Sequence, residues 1–240
     1  MIFWKQSPKL ELRCYTGSQE LIDLFPITEA RQSFPDWIEK IPPTVKLNPH
    51  HEVETLRVCP GVNDFYKRGV TLPLWQDHRV VWDHEKLLNV TTPSARHNEV
   101  WNSHPQHQYP GGLNSQVNLK LTSPWFLETD RMVPFVMVDP VWHKANPMDY
   151  VIPPGTIEFK YQRSSNVIMF LPKVEQPSEI ELRAGQPIVN FIPLENVNIS
   201  IKHIVMSPDE FAKQRSWQWT FDRLYLRTRK LLEKKNGNPT

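Results

Sequence analysis

Gly155-Thr156-Ile157-Glu158-Phe159-Lys160-Tyr161 opens the stretch whose reading decides the fold. A second apolar segment follows at Asn166–Leu171, then Glu179-Ile180-Glu181-Leu182-Arg183-Ala184-Gly185, then Gln186-Pro187-Ile188-Val189-Asn190-Phe191-Ile192-Pro193-Leu194. The order reads strand, strand, strand, tight glycine turn, strand. Four short strands in forty residues leave no room for helices, so the block belongs to a β fold.

The same period extends outward. Lys9–Thr16 sets Leu10, Leu12 and Cys14 against Lys9, Glu11 and Arg13, the alternation of a half-buried strand. Ser115–Leu121 and Asn198–Met206 alternate likewise, and the largely apolar Val133–Val138 reads as a strand buried on both faces. Glu54–Val58, Val70–Trp75 and Arg79–Trp82 are further strands, with Gln76-Asp77 as a turn and Lys86–Thr91 pairing alongside. Ser33–Lys40 reads as a short helix stopped by Pro42-Pro43, and Val62–Arg68 as two helical turns stopped by Gly69. Pro42–His51 reads as a connection, and Pro93–Gly112 as a long loop.

The C-terminal part changes character. Ser207-Pro208-Asp209-Glu210 is a helix start: serine caps, proline suits the first position, and Glu210 completes a capping box. Phe211, Trp217, Phe221, Leu224 and Leu231 recur at helical spacing, and Arg227, Arg229, Lys230, Lys234 and Lys235 complement the negative end of the helix dipole. The chain thus divides into a β-rich domain over 1–206, a helix over 207–235 and a tail over 236–240.

Composition narrows the function classes. With 23 prolines and only 8 glycines, long helices and glycine-rich phosphate loops lose support. A formal net charge of +2 gives no strong nucleic-acid signal. The two cysteines, Cys14 and Cys59, carry no zinc spacing and read as buried thiols in a reducing cytoplasm. No basic-then-apolar leader opens the chain and no run approaches a membrane span, so no membrane partner is expected. The expected location is cytoplasmic. Nine tryptophans serve either as core filling or as a ligand surface.

The Gly155–Phe191 block resembles the dUTPase and dCTP deaminase superfamily, whose members carry a Gly-x-Ile-Asp-x-x-Tyr hairpin and a downstream Gly-x-x-Ile-x-Gln turn and strand. The matching positions are Gly155, Ile157, Glu158 and Tyr161, then Gly185, Ile188 and Asn190. The resemblance implies a jelly-roll-like fold, a deoxynucleotide substrate, Glu158 as the acid that activates water and Tyr161 as the ring packing on deoxyribose. Glutamate stands where dUTPases have aspartate, Arg163 where the hairpin has glycine, and no glycine-rich phosphate loop follows. Most of the chain is also similar to a family of unknown function found in bacteria and tailed phages, through Cys59-Pro60, Val133–Val138, Gly155–Tyr161 and Arg183-Ala184-Gly185-Gln186-Pro187.

One further cluster bears on chemistry. His104-Pro105-Gln106-His107 could set two imidazoles on one metal, with Asp77 or Asp83 as carboxylate, the donor set of a non-haem iron oxygenase. No Gly-x-Ser-x-Gly, P-loop, Gly-x-Gly-x-x-Gly or His-Glu-x-x-His occurs. The expectation is a mainly β chain, a single jelly-roll or β-clip-like domain with short helical insertions and a long C-terminal helix. Its expected role is a soluble phage-type accessory, structural or binding protein, meeting a second copy, a virion or a host protein through that helix. The alternatives are a diverged dUTPase-superfamily enzyme acting on a deoxynucleotide, and a metal-dependent oxygenase. No cofactor is assigned.

Overall fold

The computed structural model describes residues 7–83, 87–92, 101–102 and 116–220, with Lys230. In chain order they form β1 (Lys9–Thr16), α1 (Gln19–Leu24), β2 (Thr28–Glu29), α2 (Asp36–Lys40), β3 (Thr44–Asn48), β4 (His51–Glu54), α3 (Pro60–Tyr66), β5 (Val70–Pro73), β6 (His78–Trp82) and β7 (Leu87–Thr91). Then come β8 (Trp101–Asn102), β9 (Gln116–Leu121), β10 (Phe126–Thr129), β11 (Pro134–Val138), β12 (Gly155–Glu158), β13 (Val167–Pro172), β14 (Ser178–Leu182), β15 (Pro187–Pro193), β16 (Asn198–Val205) and α4 (Pro208–Thr220). The protein is mainly β, with several sheets and short helices.

The strands fall into sheets ordered β10-β1-β16, β12-β11-β15-β5-β2, β13-β9-β8 and β14-β6-β7, and the separate pair β3-β4. All but β3-β4 feed one core. Leu10, Leu12 and Cys14 of β1 are fully buried, as are Leu119 of β9 and Val167, Met169 and Leu171 of β13. In β1 and β13 the alternate residues are more exposed, because a strand's side chains alternate faces. The strands buried on both faces are β5, all four of whose residues are buried, and β15, buried from Ile188 to Phe191, rather than Val133–Val138; of β11 only Phe135 is fully buried. The Phe159 ring meets that of Phe135 tilted and that of Phe191 edge-to-face here, with ring centroids 5.2 and 5.1 Å apart.

The opening block holds four strands and its glycine turn, with Gly185 at φ +83°. None of the four pairs with the next: β12 joins β11, β13 joins β9, β14 joins β6, and β15 joins β11 and β5. Instead of a hairpin, the segment after β12 turns away, and Leu127 donates to the Arg163 carbonyl at 2.7 Å. The turn Arg183–Gln186 is pinned from outside, with Gly185 N donating to Leu74 O at 2.7 Å and Ala184 N to Asp77 Oδ1 at 2.8 Å.

Two segments differ from the sequence expectation. Pro42–His51 is no mere connection: β3 and β4 pair antiparallel across it, and the strand read at Glu54–Val58 is the end of β4 followed by a 3-10 turn, Leu56–Val58. Cys59 is half-buried in a satellite cluster while Cys14 sits in the main core, and neither is in a disulfide. Burial pushes the Cys14 thiol up. The capping box forms as read, with Ser207 N donating to Glu210 Oε2 at 3.1 Å and Glu210 N to Ser207 Oγ at 3.3 Å. The helix it starts is described to Thr220, and its expected extension to 235 lies outside the described residues apart from Lys230. It docks on its own domain through Phe211, whose ring centroid is 5.3 Å from that of Phe126. Among the described residues no helix is long and apolar enough to cross a membrane.

Candidate functional site

Residues 30–68 lie off the main sheets and build a satellite core from Ala30, Ile38, Val62 and Tyr66, with Phe34, Phe65 and Trp142 packed against it. Trp142 arrives from the β11–β12 connection. A buried ion pair holds that connection: Lys144 Nζ lies 2.6 Å from Asp139 Oδ2, donates to the Tyr150 carbonyl at 2.5 Å and sits 3.7 Å over the Tyr150 ring. Asp139 Oδ2 also accepts from Ile152 N at 3.1 Å. The Lys144 side chain is 4% exposed, so few water molecules compete with these contacts. Burial lowers the Lys144 pKa, and the Asp139 carboxylate acts against that shift.

The anchored connection faces α2 across a cleft of about 660 Å³, within the size range of small-molecule sites. Trp37 of α2 donates its indole N–H to the Trp142 carbonyl at 2.8 Å, and the two rings are tilted at 50° with centroids 6.2 Å apart. Trp37 is 45% exposed. An exposed indole fixed by a hydrogen bond is a stacking surface with little freedom left to lose on binding. Around it stand Gln32, Ser33, Asp36, Lys40 and His143, while Gly185 of the pinned turn and Pro187 at the start of β15 close the cleft. The block that decides the fold thus supplies one wall of the site.

His143 rests edge-on against Tyr66, centroids 5.9 Å apart, and its Nε2 is shut from solvent with no hydrogen-bond partner among the described residues. Burial lowers the imidazole pKa, opposed by the Ser33 backbone and the Asp36 carboxylate. A neutral imidazole offers one donor and one acceptor, which suits hydrogen bonding to a polar ring edge.

The residues expected from sequence lie elsewhere. Glu158 ends β12 opposite Pro134, pointing away from the buried faces of Ile157 and Phe159. Its carbonyl accepts from Tyr161 N at 3.0 Å and Gln162 N at 2.9 Å, so Glu158 and Tyr161 share one turn. The Tyr161 hydroxyl lies against the Met132 sulfur, and Glu158 Oε2 is shut from solvent without a hydrogen-bond partner among the described residues. Neither residue lines the Trp37 cleft. Arg163 pairs with Glu128, which also accepts from the Tyr15 hydroxyl at 2.9 Å. His104 and His107 lie outside the described residues. Asp77 is engaged by Ala184 N, and among the described residues no group of three or more His, Cys, Asp or Glu could hold a metal ion.

Trp37 and Trp142 were not singled out by sequence spacing, because 105 positions separate them. One local signal existed. In Asp36-Trp37-Ile38-Glu39-Lys40 a five-residue helix buries Ile38 and leaves the largest side chain outside. Among the tryptophans whose side chains are described, Trp75, Trp82 and Trp125 fill the core, and Trp37 and Trp142 form the cleft. Comparison with protein-family models, curated proteins and solved structures gives no match to this chain.

Proposed function

We propose that the protein is a binding module that holds the planar ring of a small molecule, a nucleobase, between α2 and the 139–152 connection. The observation that carries this reading is the exposed Trp37 indole, locked by its bond to the Trp142 carbonyl over a cleft of suitable volume. His143 and Gln32 supply hydrogen bonds at the ring edge. This is the binding-protein role expected of a phage-type accessory chain. A jelly-roll or β-clip-like architecture is its companion proposal, supported by β12 through β16, each of which joins a different sheet from the strand before it. The test is quenching of tryptophan fluorescence by deoxynucleosides, with Trp37→Ala as control. Stacking contributes about 1–3 kcal/mol per base, so the variant should bind at least about fivefold more weakly. Unchanged quenching in Trp37→Ala refutes the reading.

A second reading, a diverged dUTPase-superfamily enzyme, draws support from one observation. Glu158 Oε2 is a buried acceptor that takes no hydrogen bond among the described residues. Turnover of deoxynucleotides with magnesium that disappears in Glu158→Gln at unchanged melting temperature would establish it. Turnover equal in both proteins would end it.

A further inference from the structure

On the other side of Phe34 the satellite core opens a second cleft, of about 470 Å³. Its polar lining is Arg31, Arg57, Lys67, Asn63, Tyr66 and one carboxylate, Glu39. Three cations against a single acid is a strong local excess in a chain whose net charge is only +2. Arg57 is oriented by a bond from its guanidinium to the Ile41 carbonyl at 3.2 Å, which leaves its other N–H groups for a ligand. Asn63 is oriented too, its Nδ2 donating to the carbonyls of Arg57 at 2.9 Å and Cys59 at 3.0 Å. Lys67 is held by Asp64 at 3.0 Å, an exposed pair that a competing anion can displace. The exposed Arg31 side chain has no ion-pair partner among the described residues.

Tyr66 supplies the independent sign of a ligand. It is 1% exposed, it lines this cleft, and its hydroxyl has no hydrogen-bond partner among the described residues. A buried hydroxyl left unpaired is costly. An oxyanion in the cleft would accept from it while facing the guanidinium groups. Burial raises the phenol pKa, so the group remains a donor at neutral pH.

We propose that this cleft is a phosphate site, with Tyr66, Arg31 and Arg57 as its donors. The phosphate site stands on its own lining. Its extension to a nucleotide, base on Trp37 and phosphate against Tyr66, rests on the ring-binding reading, and the two clefts share Phe34. The ring contact of Tyr66 with His143 joins them from below.

The experiment titrates the full chain with inorganic phosphate and pyrophosphate, read by phosphorus NMR line width and by melting temperature. Both anions should bind and raise the melting temperature. Arg31→Glu should weaken binding about tenfold or more, since it removes a charge-assisted donor and adds a repelling carboxylate. Tyr66→Phe should weaken binding about fivefold while leaving the melting temperature of the free protein equal or higher, because it deletes an unpaired buried hydroxyl and keeps the ring. Absence of phosphate binding overturns the proposal, and so does binding indifferent to both substitutions. Trp37→Ala separates the two readings. Phosphate binding that survives it while nucleoside quenching is unchanged upholds the anion site and removes only the ring cleft.

Discussion

Replacing Lys144 by methionine removes the ammonium that ties the 139–152 connection down. Three contacts go together: the ion pair to Asp139 at 2.6 Å, the bond to the Tyr150 carbonyl and the ammonium over the Tyr150 ring at 3.7 Å. Methionine fills nearly the same space, so the loss is electrostatic rather than a cavity. Breaking a buried pair from one side costs about 3–5 kcal/mol, because the other charge is left behind. Asp139 keeps its bond from Ile152 N and is 18% exposed, which places the effect at the lower end, about 3 kcal/mol. For a chain of this size that is a fall in Tm of about 6–12 °C. Urea unfolding of wild type, Lys144→Met, Asp139→Asn and the double variant measures it. The double variant should recover much of the loss, since an uncharged pair leaves no stranded charge. A single-variant loss under about 1 kcal/mol, or two losses that simply add, would show that the pair does not anchor the connection.

Two further outcomes are expected. Gly69 lies at φ +84°, and a Cβ there would stand 2.2 Å from the Phe191 carbonyl oxygen, so Gly69→Ala should cost well over about 2 kcal/mol in a urea melt. A loss under about 1 kcal/mol would refute the close approach of α3's end to β15. His143 has a folded pKa below its ordinary 6.5. Its contribution to stability is therefore complete above that value and declines as pH falls through the lowered one, where the unfolded chain binds the extra proton. His143→Gln should flatten that part of the Tm–pH curve, and an unchanged slope would exclude His143 as its source.

Much of the fold was legible wherever burial was one-sided. Leu10, Leu12 and Cys14, or Val117, Leu119 and Leu121, declare their strands because each alternate residue faces one core. Gly69 and the Ser207–Glu210 box declare their helix ends because they depend on neighbours in sequence. Partner choice was not legible. Glu179–Leu182 looks the same whether it lies beside β13 or, as it does, beside β6, since pairing is decided by residues about a hundred positions away. β3 and β4 escaped because they bury almost nothing, with Val45 and Leu47 left exposed, and periodicity records only burial. The Trp37 cleft escaped for a related reason. Its parts come from a short helix, a loop and a glycine turn, and only the tertiary fold brings them together.

The parallel match of β1 with β16, Lys9 to Asn198 through Thr16 to Val205, bears on how the molecule is made. During translation β1 leaves the ribosome long before its partner exists. At the usual rate of synthesis about 10–40 s separate them. For that interval β1 has no β16 along one edge; β10 emerges earlier but pairs with the other edge, so the β16 edge stays open. The sheet closes only when residues 198–205 emerge, so completion of the fold is a late event on the ribosome, and a chain arrested before Asn198 leaves that strand available to other molecules.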